Sequence, residues 1–233
     1  MAILGLLALP TLLLPRTALL WFVRSFARLM ILGLRWICGI RVEIRGEQHV
    51  PGGPVLIAGK HQAMLDVFMP FLIFRDPVLV MKRELLWYPV IGWYSLKLRL
   101  LAIDRDGGAK TMRKMLEAAQ ARVNGESRQM LIYPEGTRSK PGAKPDYKPA
   151  GTRAFYKSLK LPLLPLATNA GLCWPAKGLT RRPGLVVYEV LPPLPHDLNP
   201  KVMLVELETI LETACDRLMD EGLAVQARSR ADL

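Results

Sequence analysis

The sequence predicts an α/β fold: a single mixed, mostly parallel sheet flanked by helices, with an N-terminal helical hairpin lying in a membrane interface. Three observations carry this. From residue 40 onward, short apolar runs of strand length alternate with segments of helical period. The 233 residues suit one core of that kind. Residues 1–40 stand apart in composition from the rest. The chain therefore divides into a hairpin over 1–40, a main domain over 41–222 and a flexible tail over 223–233.

Composition narrows the function classes. The chain is 51% hydrophobic, with a mean hydropathy of +0.19, a net charge of +12 and a pI of about 9.9. That is apolar for a freely soluble protein, and the charge favours polyanions: nucleic acid, anionic lipid surfaces or phosphorylated substrates. Cys38, Cys173 and Cys215 have no paired spacing, and there are three histidines in all, so no zinc site, disulfide framework or His-rich metal site is indicated.

Met1–Pro15 is apolar but broken by Gly5 and Pro10, and Thr17–Ile40 is apolar except for Arg24, Arg28 and Arg35. On a helix at about 100° per residue, those arginines share an arc of roughly 40°. The charge neither precedes the apolar stretch nor leads to a small-residue cleavage site, unlike a secretory signal. Neither half offers the ~20 uninterrupted apolar residues of a clean span. The pattern fits an interfacial hairpin, apolar side in acyl chains and arginines at lipid phosphates; a helix pair packed on the domain or a short span remains open. Six arginines between Arg16 and Arg45 against one acid, Glu43, favour the cytoplasmic face.

Ile40–Arg45 alternates with period two, a half-buried strand, and Pro54–Ala58 reads as a buried one. Gly59 then permits a turn into Lys60-His61-Gln62-Ala63-Met64-Leu65-Asp66. Five positions on one helix would splay His61 and Asp66 apart, so their contact requires that turn. An imidazole held by a carboxylate can take and return a proton near neutral pH. Val67–Phe74 suggests a short helix, and Pro77–Met81 a strand ending at Lys82, which is either a phosphate ligand or solvated. Leu86–Leu101, with Trp87, Pro89, Gly92, Trp93 and Tyr94, reads equally as an apolar wall, an interfacial belt or core.

Leu100–Ile103 is a strand delivering Asp104 and Arg105, the latter either a phosphate contact or a surface partner of Asp106. Lys110–Asn124 has one apolar face and a C-cap at Gly125. Gln129–Ile132 is a strand leading into Tyr133-Pro134-Glu135-Gly136-Thr137-Arg138-Ser139, and Lys140–Lys148 is a loop long enough for a mobile flap. Next comes a helix over Thr152–Leu159. The prolines of Leu161–Leu166 confine that strand to a sheet edge or a bulge. Leu185–Val190 is the last strand. Asn199-Pro200 starts a helix that Gly222 ends, with Glu206, Glu208, Glu212, Asp216 and Asp220 largely on its outer face.

His61-Gln-x-x-x-Asp66 and Pro134-Glu-Gly-Thr-Arg-Ser139 resemble the first and third motifs of the glycerolipid acyltransferase family, of the lysophosphatidic acid acyltransferase type. Leu100–Arg105 resembles its second motif more loosely, with Ala102 where Phe and Arg99 where Gly are usual. Leu161–Leu166 resembles the proline-punctuated fourth. Resemblance spans roughly residues 55–170. Lys60 stands where Asn is common, Ala63 where Ser is and Tyr133 where Phe is.

The resemblance implies that residues 41–222 are an acyltransferase catalytic domain. It would pass a fatty acyl group from acyl-CoA or acyl-carrier protein to the sn-2 hydroxyl of lysophosphatidic acid, giving phosphatidic acid. His61 would be the base and Asp66 its holder. Arg105, Arg138 and Lys82 would grip the acceptor phosphate; Glu135 would hold a hydroxyl or orient an arginine. Backbone N–H groups at Gly136 or Thr137 would meet phosphate or oxyanion, and Pro162 and Pro165 would border the acyl donor. No metal or bound cofactor is needed, because the thioester is itself a substrate. Other acceptors in such a family are glycerol-3-phosphate, lysophospholipids and lyso-ornithine lipids. The competing class is a basic, non-enzymatic membrane- or nucleic-acid-binding protein; its basic residues would form one stripe with stacking aromatics, whereas here they gather at strand ends beside His61 and in the N-terminus, which disfavours nucleic acid.

Overall fold

The computed structural model of the chain describes residues 9–104 and 108–231. Seven strands form one sheet: β1 Ile40–Arg45, β2 Leu56–Gly59, β3 Pro77–Lys82, β4 Leu101–Ile103, β5 Gln129–Ile132, β6 Leu163–Thr168 and β7 Gly184–Val190. Their spatial order is β1-β7-β6-β2-β5-β3-β4. All pairings are parallel except β6 with β7. The predicted mixed, mostly parallel sheet is thus present. β2 and β5 lie near its middle and are buried throughout, as continuous apolar runs covered on both faces should be. β1, at one edge, shows the alternation of a half-exposed strand.

Helices cover the two faces separately. α1 Arg16–Cys38, α2 Pro70–Ile73 and α3 Ile91–Lys97 lie on one side; α4 Gly108–Glu126, α5 Pro149–Leu159 and α6 Pro200–Ala231 lie on the other. Successive strand residues feed opposite layers: Ile57, Leu131 and Leu164 pack with the first set, Leu56, Met130 and Leu163 with the second.

Several expectations are corrected. Of the hairpin over 1–40, residues 1–8 lie outside the described residues; the remainder is a 3-10 turn at Leu9–Leu12 and the single 23-residue helix α1. The arginines of α1 do not share one role. Arg24 turns inward and donates to the carbonyls of Phe71, Phe74 and Arg75 at the end of α2, where a four-residue helix leaves acceptors without partners of its own. Arg28 and Arg35 stay exposed.

β6 is not an edge strand, since β7 and β2 flank it. Pro165 is tolerated there by a bulge. Leu191 donates to the Pro165 carbonyl, and Leu163 next pairs with Leu194, so the partner chain spends one residue more than β6 over that step. The missing proline N–H falls at this interruption.

Gly222 does not end the last helix, and residues 223–231 continue it rather than forming a flexible tail. The glycine serves close approach: a Cβ there would lie 2.7 Å from Asn169 Nδ2. Beyond it, Val225 packs on the core and Gln226 donates to the Pro183 carbonyl at 3.1 Å. Gly125 likewise lies within α4, and Ser127, at φ 51°, takes the left-handed position instead. The Lys140–Lys148 loop is docked: Pro141 lies against Gly171, Tyr147 reaches α6, and Lys148 N donates to the Pro134 carbonyl at 2.7 Å.

Candidate active site

β2, β5, β3 and β4 are adjacent and parallel, so their C-terminal ends share one edge of the sheet. That edge is where open α/β sheets present reactive groups. β2 ends at Gly59 and delivers Lys60 and His61; a tight 3-10 turn at Met64–Val67 then folds Asp66 back. Asp66 Oδ2 lies 2.9 Å from His61 Nδ1 and accepts from the backbone N–H groups of Gln62 (2.6 Å) and Ala63 (2.8 Å). The Tyr188 hydroxyl of β7 donates to Oδ1 at 2.5 Å. All these contacts require Asp66 to accept, so Nδ1 donates, and in the neutral ring this places the lone pair on Nε2. Among the described residues no hydrogen bond engages Nε2. Asp66 is 1% exposed, whereas the His61 side chain is 16% exposed: the holder is sealed in and the base is reachable.

The second run closes over the first. The Tyr133 ring stacks on the His61 ring, centroids 4.2 Å apart and planes 20° from parallel, and its hydroxyl donates to the Asp66 carbonyl at 2.5 Å. Burial, then the Asp66 charge, push the Tyr133 phenol far above its usual range, so it stays a neutral donor. Ser139 N donates to the His61 carbonyl at 2.8 Å, which sets Arg138 beside the dyad. Arg138 and Thr137 are exposed and unpaired among the described residues. Gly136 takes φ 65°, and its N–H donates to the Tyr133 carbonyl at 2.9 Å, which closes the turn. Among the described residues no hydrogen bond engages the N–H of Thr137.

The other expected positions do not all reach this edge. Lys82 is exposed at the end of β3, in register with Ile103 of β4 and so at the same sheet edge. Arg105 lies outside the described residues. Pro162 pairs at the start of β2, where its carbonyl accepts from Leu56, and so lies at the end of the sheet opposite His61; Pro165 is buried beside Ala58. Glu135 does not face the opening. It is 3% exposed, and its two oxygens accept from Lys60 Nζ at 3.0 Å and Ser139 Oγ at 3.0 Å.

Residues 41–169, more than half of the chain, match the family described as Acyltransferase. The chain belongs to the acyltransferase family. A 1-acyl-sn-glycerol-3-phosphate acyltransferase of Pseudomonas aeruginosa is 31% identical over 206 residues, covering 88% of this chain and 79% of the relative. The human 1-acyl-sn-glycerol-3-phosphate acyltransferase alpha is 31% identical over 173 residues, covering 73% of this chain and 60% of its own. The crystal structure of the 1-acyl-sn-glycerophosphate (LPA) acyltransferase PlsC from Thermotoga maritima superposes with a TM-score of 0.72 at 19% identity, covering 87% of this chain and 80% of that one. That likeness establishes the shared fold.

Three residues that sequence patterns leave without a role, Lys60, Glu212 and Tyr188, are built into the site of this acyltransferase. Lys60 is 4% exposed, and its ammonium contacts both Glu212 oxygens at 2.8 Å besides Glu135. Tyr147 also donates to Glu212, at 2.8 Å. Glu212 thus faces inward from α6, against the expectation of an outer face. Burial pulls the Lys60 ammonium down, but the carboxylates of Glu212 and Glu135 outweigh it and hold its pKa above the usual lysine range. The replacement of Asn by Lys at this position is the available signal, because a buried cation requires carboxylate partners.

Proposed function

We propose that this acyltransferase carries a fatty acyl group from acyl-CoA or acyl-carrier protein to the sn-2 hydroxyl of lysophosphatidic acid, yielding phosphatidic acid. The relatives from Pseudomonas aeruginosa and human support this acceptor, and the carrying observation is the free Nε2 of an imidazole whose other nitrogen is held by a fully engaged carboxylate. In this reading Nε2 takes the proton as the acceptor oxygen attacks the thioester carbonyl. The tetrahedral intermediate then expels the thiolate, which recovers the proton from the imidazolium. General-base help of this kind contributes roughly 10²- to 10⁴-fold. Arg138 and Lys82, with Arg105, hold the acceptor phosphate, Arg138 by a two-pronged contact. The Thr137 N–H serves the phosphate or the oxyanion.

The site edge sits at a bilayer, on its cytoplasmic side. Among the described residues α1 is the one helix long and apolar enough to cross a membrane, and only 22% of its most apolar stretch is buried. A core helix would be mostly covered. Trp21, Leu29, Leu32, Trp36 and Ile37 stay exposed along it, beside Arg28 and Arg35, a pattern suited to acyl chains bordered by lipid phosphates.

The test presents purified protein in detergent with a labelled acyl thioester and four acceptors: lysophosphatidate, glycerol-3-phosphate, lysophosphatidylcholine and lyso-ornithine lipid. Fastest transfer to lysophosphatidate is expected. Transfer confined to an acceptor without phosphate would reject the clamp, and with it this acceptor. Arg138→Ala should raise the acceptor KM about tenfold or more and leave the donor KM in place.

A further inference from the structure

Four of the five tryptophans, Trp21, Trp36, Trp87 and Trp93, are 67%, 81%, 83% and 49% exposed, and all belong to the layer of α1 and α3. α1 accounts for two of them. The other two lie on the connection from β3 to β4, a 3-10 turn at Arg83–Trp87 followed by α3. Core packing does not account for them: Trp87, Tyr88, Ile91, Trp93 and Leu96 are exposed, while Tyr94, Leu98 and Leu100 pack on the core.

The connection is built as a rigid knuckle. Gly92 lies so close to the Leu86 carbonyl that a Cβ would stand 2.0 Å from its oxygen. Val90 takes φ 71°, a conformation that costs a β-branched residue energy and persists only when its surroundings impose it. Gly92 N donates to the Tyr88 carbonyl at 2.9 Å, and Ser95 Oγ to the Ile91 carbonyl at 2.7 Å, so few main-chain groups on the apolar tip need water. Cations bracket it: Lys82 and Arg83 before, Lys97 and Arg99 after. Among the described residues Arg83 pairs with Asp104 at 3.2 Å and Arg99 with Glu126 at 3.0 Å, and both guanidinium side chains are more than half exposed, where such pairs hold weakly in water.

We propose that residues 83–97 form a second lipid contact beside α1, inserting Trp87, Tyr88, Ile91, Trp93 and Leu96 among headgroups and upper acyl chains of an anionic bilayer. Indole and phenol rings settle at this depth, and a ring of cations matches lipid phosphates. The inference rests on the membrane reading of α1 and deepens it. Two separated contacts fix orientation as well as attachment. Because the knuckle leaves the sheet directly after Lys82, its insertion holds the strand-end edge bearing His61 and Arg138 against the headgroup layer.

The experiment uses the full chain with single tryptophans, the others replaced by Phe, on vesicles of phosphatidylcholine and phosphatidylglycerol carrying brominated acyl chains. Bromine should quench Trp87 and Trp36 alike, and acrylamide should quench both less once vesicles are added. Trp36 quenched by bromine with Trp87 still open to acrylamide would overturn the second contact and keep the α1 reading. Neither quenched by bromine would overturn both. Trp87 shielded without lipid, with a mass that rises with protein concentration, would assign the knuckle to a second copy and overturn the proposal. Replacing Trp87 and Trp93 by Ser should weaken vesicle partitioning by about tenfold or more. Turnover on vesicles should fall with it, while turnover on a monomeric short-chain lysophosphatidate stays within about twofold. An equal loss on both acceptors would overturn the proposal.

Discussion

Lys60 and His61 are consecutive, leave the same strand, and end in opposite halves of the molecule. His61 turns toward the layer of α1–α3, where Tyr133 stacks on it and one ring nitrogen stays free. Lys60 turns toward α6, where Glu135 and Glu212 take up its charge in the interior. Strand alternation imposes this divergence. It teaches that charge near a site is no guide to chemistry. What separates the two residues is valence: the imidazole has an unused lone pair facing an opening, whereas the ammonium is closed on every side.

The largest expected effect breaks the pair at His61. His61→Ala should lower kcat by roughly 10³-fold or more and leave the melting temperature within a few degrees, because Asp66 keeps its donors from Gln62, Ala63 and Tyr188. Retained turnover would remove His61 from the chemistry. A melting temperature that fell sharply would assign it a structural role like that of Lys60.

Next comes Lys60→Met, which fits the volume and removes the charge. Two carboxylates then share the interior without a cation, and destabilisation of about 3–5 kcal/mol is expected in denaturant unfolding. Adding Glu135→Gln and Glu212→Leu should recover a large part of that loss. Wild-type stability in Lys60→Met would show that water already solvates the cluster.

The same comparison explains what is legible in the sequence. The His61–Asp66 contact spans five residues and one turn, so its spacing and the glycine before it disclose it. The seven strands are visible as short apolar runs, and Ser139, which ties the second motif to the first, falls inside a recognisable stretch. Glu212 lies 152 residues from Lys60 and Tyr188 lies 122 from Asp66, and each is hidden in an ordinary pattern. On α6, Glu212 reads as one more acid on a solvated face. Tyr188 is one more β-former in an apolar strand. Gly222 resembles a helix stop because glycine has two uses, and the neighbour that decides between them, Asn169, is remote. Arg24 falls in with Arg28 and Arg35 because periodicity sees a helix in isolation, without the carbonyls of α2 beside it.

Tyr188→Phe sharpens the comparison on the His61 side. It deletes the one side-chain donor, among the described residues, to Oδ1 of a buried carboxylate, and hydrogen bonds to charged groups are worth about 1.5–3 kcal/mol. If Asp66 acts by holding His61, part of this loss should appear in kcat, with acceptor and donor KM values little changed. A loss confined to stability would make Tyr188 purely a core residue.

The smallest effect is the pH dependence of the Lys60 contribution, read as the stability difference between the wild type and Lys60→Met. The carboxylates raise the folded pKa of Lys60 above its unfolded value of roughly 10.4. A cation shifted that way contributes stability that is complete below the unfolded value and is lost as pH rises through the folded one. The difference should therefore stay flat from about pH 6 to pH 10 and narrow only above that. Tyr147, pushed up first by burial and then by Glu212, loses stability over the same alkaline range. Both proteins retain Tyr147, so subtraction removes most of its contribution. A difference that instead grew as pH climbed from about 8 toward 10 would place the folded pKa below the unfolded one and mean that desolvation, and not the carboxylates, governs the ammonium. The interior cluster would then be poised to titrate, and the contrast between a closed residue 60 and an open residue 61 would fail.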